Sequence, residues 1–398
     1  MKILITTDLY TSGTNGVIVS VKNLQNALSA RGHDVRVLTV SERRRSHKEN
    51  GVYCIRSIPL AVYPDVRLPM TYRHRFVTEL VHWKPDVIHS QCEFCSLPYA
   101  LHISKLTGAP IVHTYHTMYE QYVRYIGLNE RIGTFAVPHF IKNRMKRISA
   151  VIAPTAKMKD VLSRYGLKMP IVIIPSGINL TQHRQRISAE VRAEGRRALG
   201  ISEENDVLVY VGRLSAEKNL SELLRFFPKA RAANEKLVFM IVGDGPVRES
   251  LEQEAEALGI ADSVIFTGMV AGARIHEYYQ LGDAFICAST SETQGLTYIE
   301  AIANGLPLVC RDDPCLAEIV REGENGFSYT TEEQFLNALN VIFADREWRA
   351  NAKLLNAKIA EFYDRDEFGR RVEELYCTVI EEKKNGVSDS DSDTDDTL

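Results

Sequence analysis

Short apolar runs recur along the chain, each followed by a stretch whose apolar residues keep helical spacing. In the first half, the runs at 2–6, 34–39, 86–89, 111–115, 150–153 and 171–174 read as strands. Between the first two, Val17, Val21, Leu24 and Leu28 recur on one helix face, and Gly32 closes that helix. The second half repeats the plan at 207–211, 238–242, 263–266, 284–287, 306–310 and 326–329. Two such series predict an α/β protein of two doubly wound, Rossmann-like domains with parallel sheets. In folds of this kind ligands sit at the carboxyl ends of the strands, so the two domains are expected to face each other across a cleft. The boundary is expected between 175–179 and about 204, a segment whose polar, Arg-rich stretch 182–197 resembles neither sheet, which gives domains at 1–180 and 198–364. Phe368, Val372, Leu375 and Val379 then mark a terminal helix within 365–384. The tail 385–398 is a Ser/Asp/Thr repeat that cannot bury apolar surface and is expected to be disordered. The polar stretch 41–50 reads as a loop.

Composition changes this picture little. A chain of 398 residues has room for two or three real cores, and a net charge of −3 gives no overall reason to bind nucleic acid. No apolar run approaches the roughly 18 residues that span a bilayer. The opening strand meets Asp8 too early for a signal peptide. Seven irregularly spaced cysteines are expected to be reduced thiols in a cytoplasmic protein. Cys92 and Cys95 form a lone C-x-x-C without a second pair, which leaves plain packing or a redox role open.

The chemistry concentrates in the second half. S-E-T-Q-G-L-T-Y-I-E-A-I-A-N-G-L-P occupies 291–307, and its helix is expected at 297–304. Gly295 and Leu296 therefore stand where unpaired backbone N–H groups and the helix dipole favour an anion. Glu292 lies before the turn and Glu300 inside the helix, an arrangement that suits a sugar at Glu292, a ribose at Glu300 and phosphates between. An ordinary surface loop and amphipathic helix would read the same way in isolation. V-G-R-L-S-A-E-K-N at 211–219 delivers Arg213 and Lys218 to a strand-to-helix junction. Arginine forks onto phosphate oxygens and lysine acts as a point charge. A third turn, V-G-D-G-P with Gly243, ends another strand. In the first half, T-S-G-T-N-G ends at Gly16, where backbone can approach a phosphate. It is not the G-x-G-x-x-G of a dinucleotide site, so a dehydrogenase is a poor reading.

In this order and spacing the motifs resemble the retaining, nucleotide-sugar-dependent glycosyltransferases of the GT-B fold, family four, from residue 1 to about 376. V-I-H-S-Q-C-E-F at 87–94 and T-Y-H-T-M-Y-E-Q-Y-V-R-Y-I at 114–126 are similar to bacterial diacylglycerol glucosyltransferases. Those more usually carry Thr and Ser at Cys92 and Cys95, and Asp at Gln121. The resemblance implies a UDP-hexose donor, a diacylglycerol-type lipid acceptor and no metal or other cofactor. No Asp-x-Asp motif accompanies the site. It also implies that His116 contacts the transferred sugar, that Arg213 and Lys218 neutralise the departing diphosphate, and that Glu292 holds sugar hydroxyls. His113, at the same strand end, is expected to be the lesser of the two histidines.

An anionic membrane surface is the further partner expected. Arg67, Arg73 and Arg75 precede Phe76, Leu80 and Trp83 at helical spacing, Tyr119 lies in the acceptor motif, and Lys142, Arg144, Lys146 and Arg147 form a second basic run. Peripheral attachment at the cytoplasmic face follows from that reading, with Phe76 and Leu80 as ordinary core the plain alternative. Two other classes stay open: a GT-B enzyme with another acceptor or reaction, and a non-catalytic nucleotide-sugar-binding scaffold.

Overall fold

The computed structural model describes residues 1–10, 15–41, 43–59, 67–119 and 130–386, with backbone alone for 130–135. Chain contacts divide it into two units, Met1–Gly177 with Asp366–Leu398, and Ile178–Arg365.

In the first unit, β1 (Lys2–Thr7), β2 (Asp34–Ser41), β4 (Val52–Pro59), β6 (Val87–Ser90), β7 (Ile111–Thr114), β8 (Ala150–Ala153) and β9 (Ile171–Ile173) run parallel. Two short antiparallel strands, β3 (His47–Glu49) and β5 (Arg67–Pro69), flank β4. Among the described residues the order is β3-β4-β2-β1-β6-β7-β8-β9, with β5 beside β4. Alternate residues of each strand feed different cores, which is why the runs look continuously apolar. Leu4, Ile88 and Ile111 join one core with Phe76 and Leu97. Ile3, Ile5, Val87 and Val112 join the other with Val21, Leu24, Phe368 and Val372. The terminal helix Arg365–Lys384 thus packs on the first sheet. His89, wholly buried, binds the Tyr376 hydroxyl through Nδ1 at 2.6 Å and the Thr114 hydroxyl through Nε2 at 2.7 Å. The sheet order reverses at β1 and β6, so their carboxyl ends flank a topological switch point.

The second unit is a parallel sheet of β10 (Asp206–Val211), β11 (Leu237–Val242), β12 (Val264–Gly268), β13 (Ala284–Cys287), β14 (Leu308–Arg311) and β15 (Gly326–Tyr329), in the order β12-β11-β10-β13-β14-β15. Its switch point lies between β10 and β13.

Two expectations are corrected here. The junction falls at Gly177 and Ile178, at the start of the expected span, and the stretch 182–197 is part of the second unit. Ile178 and Leu180 are core, and the guanidinium of buried Arg196 donates to the carbonyls of Leu281 (3.0 and 2.8 Å) and Asn205 (2.9 Å) and to Asp283 (2.7 Å). A fully paired arginine can be buried, and a polar sequence conceals that. The stretch 41–50 is not loop alone, since β3 adds to β4 there. Residues 387–398 of the tail and residues 11–14 lie outside the described residues.

Candidate active site

At the second switch point, Tyr210, Arg213 and Lys218 come from the end of β10, and Ser289 to Glu300 from the end of β13. The Lys218 Nζ donates to Glu292 Oε1 at 2.5 Å, and the Ser291 hydroxyl donates to the Glu217 carbonyl at 3.4 Å. Tyr210 donates its hydroxyl to the Arg213 carbonyl at 3.1 Å, which shapes the turn beneath that exposed arginine. Burial pulls the Lys218 pKa down, but the Glu292 charge and hydrogen bond outweigh it and leave it raised, so the ammonium stays charged.

Helix Leu296–Ala303 starts at Gly295, which no side chain caps. The helix begins one residue before the expected position. Gly295 has φ +73°, and a Cβ there would fall 2.4 Å from the Tyr298 ring. Only glycine lets the chain turn this tightly above the tyrosine, exposing the first-turn N–H groups to an anion. Gly243, at the end of β11, has φ +137°, and a Cβ there would lie 1.9 Å from the Gly212 carbonyl oxygen. Its role is to let two backbones touch.

Glu300 accepts from the Tyr279 hydroxyl at 2.8 Å and faces the His183 Nε2 at 4.0 Å. His183 Nδ1 is 3.1 Å from the Asn304 amide nitrogen, and burial together with His276 lowers its pKa to about 4, so the ring is neutral. Tyr279 and His183 support Glu300 but are distant from it in sequence, and nothing local in the sequence marked either. Burial raises the Glu300 pKa to about 7 against the opposing hydrogen bond from Tyr279. The folded carboxyl therefore binds protons more tightly than the unfolded one, and stability falls as pH rises from about 4.5 to about 7. Glu300→Gln should accordingly unfold at a higher temperature than wild type at pH 8, with the gap closing by pH 4.5. Thermal melts across that range check it.

In the first unit, His116 follows β7 and its Nε2 lies 2.7 Å from Gln91 Oε1. Burial, with His113 adding to it, lowers the His116 pKa to about 3, so the imidazole is neutral. His113 is buried, with Nε2 at 3.0 Å from Glu93 Oε1, and Glu93 also accepts from the half-buried Tyr119 hydroxyl. Asp8, at the end of β1, accepts from the backbone N–H of Ser96 at 2.6 Å and of Cys95 at 3.1 Å. Gln91 and Glu93 lie within the 87–94 motif but were given no role of their own there, and Asp8 carries no motif. Gly16 opens helix Gly16–Ala30 behind an Asn15 cap. Residues 120–126 of the acceptor motif lie outside the described residues.

The structure corrects the membrane-facing helix. Phe76 and Leu80 of Arg75–Trp83 are core, with Phe76 edge-on to Tyr53 at 5.5 Å. Trp83 is half-buried, donates to Asp34 at 2.9 Å and lies under Arg36. Arg67 is tied to Ser57 across the β4–β5 edge. Arg73 and Arg75 are exposed. The helical spacing was real, but its stripe packs inward. Cys92 and Cys95 are free thiols, and burial with Asp8 pushes Cys95 up to about 12, an unreactive setting.

Two Rossmann-like α/β sheets with a helix terminus open to an anion fit a glycosyltransferase of the GT-B kind, and comparison with known proteins shows that class. The model for glycosyl transferases group 1 matches residues 191–357, and that for Glycosyltransferase Family 4 matches residues 14–182. An alpha-monoglucosyldiacylglycerol synthase of Streptococcus pneumoniae is 33% identical over 383 residues, covering 96% of this chain and 86% of that protein. The protein of the same name from Acholeplasma laidlawii is 31% identical over 407 residues, covering 98% and 100%. Anabaena HepE, solved with UDP and glucose, shares the fold with a TM-score of 0.76 at 19% identity, covering 95% of this chain and 100% of its own. The chain belongs to glycosyltransferase family 4 and is a hexosyltransferase.

Proposed function

We propose that the protein transfers glucose, with retention, from UDP-glucose to the free hydroxyl of 1,2-diacylglycerol. The observation that carries this reading is the end-to-end similarity to two proteins named for monoglucosyldiacylglycerol synthesis. The bond from the sugar's anomeric carbon to the diphosphate breaks, and the acceptor oxygen bonds to that carbon on the same face. The acceptor proton passes to the departing phosphate oxygen, so no separate base is required. Arg213, Lys218 and the N–H groups beside Gly295 and Leu296 stabilise the charge that develops on the diphosphate, the dominant catalytic contribution. Glu292 holds sugar hydroxyls, Glu300 the ribose, and His116 the transferred hexose. The ion pair of Lys218 with Glu292 holds both side chains in place before substrate arrives.

Protein cations do the work of a metal in this mechanism. Turnover should therefore persist in excess EDTA; complete loss, restored by magnesium or manganese, would overturn that part.

Attachment to an anionic bilayer belongs to the same proposal. No described helix is long and apolar enough to cross a membrane. Ile58 and Leu68 face each other across β4 and β5, and with Met70, Tyr72 and Phe94 they are exposed. Phe94 stacks on Phe140 and Arg144 lies over Phe140, which brings the second basic stretch beside the exposed Phe94. Each basic side chain near an anionic leaflet contributes roughly 1 kcal/mol. Replacing Arg73 and Arg75 by Glu should lower co-sedimentation with anionic vesicles about tenfold or more, while UDP-glucose affinity stays unchanged. Binding that ignores both the variant and the salt concentration would contradict it.

A further inference from the structure

We propose that Gln91 is a positioning residue that holds His116 as its Nε2–H tautomer, leaving Nδ1 with the lone pair that accepts from a hydroxyl of the transferred hexose. The inference rests on the reading above in one respect, that His116 contacts the hexose.

Both side chains hang from rigid backbone. Gln91 extends β6, and its N–H donates to the Thr6 carbonyl at 2.8 Å. His116 follows Tyr115, whose N–H donates to the Ile152 carbonyl at 3.0 Å. Gln91 is 2% exposed, and His116 is only partly buried, so the glutamine is enclosed while the histidine can still be reached. The 2.7 Å contact is between Gln91 Oε1 and His116 Nε2. In this orientation the carboxamide presents its oxygen, which can only accept and so pairs with a ring proton on Nε2. The Gln91 amide nitrogen has no partner among the described residues. The bond to His116 is therefore the polar contact that orients the carboxamide. A reversed carboxamide would put the ring proton on Nδ1 and present a donor instead.

The ionisable surroundings favour a neutral ring. His113 on β7 and His89 on β6 both interact with His116 electrostatically. Glu93 is engaged by His113 and Tyr119, and Tyr376 of the terminal helix is engaged by His89. A neutral ring with an available lone pair suits a sugar centre that gains positive charge during transfer, whereas an imidazolium would repel it.

The full-length enzyme, its Gln91→Glu and Gln91→Leu variants and His116→Ala provide the test. A carboxylate at 91 still accepts from Nε2 but favours the imidazolium. Gln91→Glu should therefore fold normally and add an acid limb near neutrality to the pH profile of kcat/KM, absent from wild type. Gln91→Leu should lower kcat/KM for UDP-glucose about tenfold while UDP inhibits as before. Nitrogen NMR of labelled histidine, assigned with His116→Ala, should show the Nε2–H tautomer in wild type and a mixture in Gln91→Leu. A wild-type Nδ1–H tautomer, or a Gln91→Glu profile superimposable on wild type, overturns the proposal. The hexose contact fails separately, if His116→Ala leaves UDP-glucose turnover intact while the tautomer spectra stand.

Discussion

Lys218→Ala and Arg213→Ala should each lower turnover by roughly two to three orders of magnitude, the usual scale for removing one group that stabilises transition-state charge. Both side chains leave the end of β10, where the sheet order reverses. Lys218 has a second effect. It is paired with Glu292 at 2.5 Å, and the two side chains are 24% and 14% exposed. Removing the lysine takes away the ammonium that a largely enclosed carboxylate pairs with, which costs stability as well as activity. The two effects separate in a double variant. Adding Glu292→Gln to Lys218→Ala should recover part of the lost melting temperature and none of the turnover. Near-wild-type turnover in both folded single variants would remove the two cations from the mechanism.

Gly243→Ala should be the most damaging single methyl group in the second unit. The added carbon would fall 1.9 Å from the Gly212 carbonyl oxygen, and that oxygen is backbone at the end of the central strand β10. The positive φ of Gly243 adds strain for any side chain. Backbone must move on one side or the other, so a loss of about 3 kcal/mol or more is expected. The turn that carries Arg213 moves with it, and UDP-glucose affinity should fall further than stability alone explains. Chemical denaturation and donor titration measure the two losses. An alanine variant with wild-type values in both would show that the loop relaxes freely.

Every parallel strand of the two sheets except β4 was legible, because their two faces are buried and a continuous apolar run is a strong local signal; β4, Val52–Pro59, was not, since Arg56 and Ser57 interrupt its apolar residues and its burial alternates. The hairpin edge was not, since β3 reads His-Lys-Glu and only its pairing with β4 makes it a strand. That Arg213, Lys218, Glu292, Glu300 and Gly295 stand at strand-to-helix junctions was legible because glycines and charges there keep fixed spacing along one or two turns. Tyr279, His183 and Gln91 reach their partners only through folding. The helix Arg75–Trp83 shows the limit of periodicity. Phe76 and Leu80 mark an apolar stripe whichever way it faces, and the exposed side chains Ile58, Leu68, Met70, Tyr72 and Phe94 come from other segments with no shared period.

The most direct measurement follows labelled hexose from UDP-glucose, in parallel, into diacylglycerol in anionic vesicles and into soluble glycans. The account predicts label in the lipid extract as an α-linked monoglucosyl lipid, formed in the presence of EDTA and abolished to within about one part in a hundred by Lys218→Ala. Label in soluble glycan with none in lipid would contradict it and make the protein a glycan transferase of the same fold.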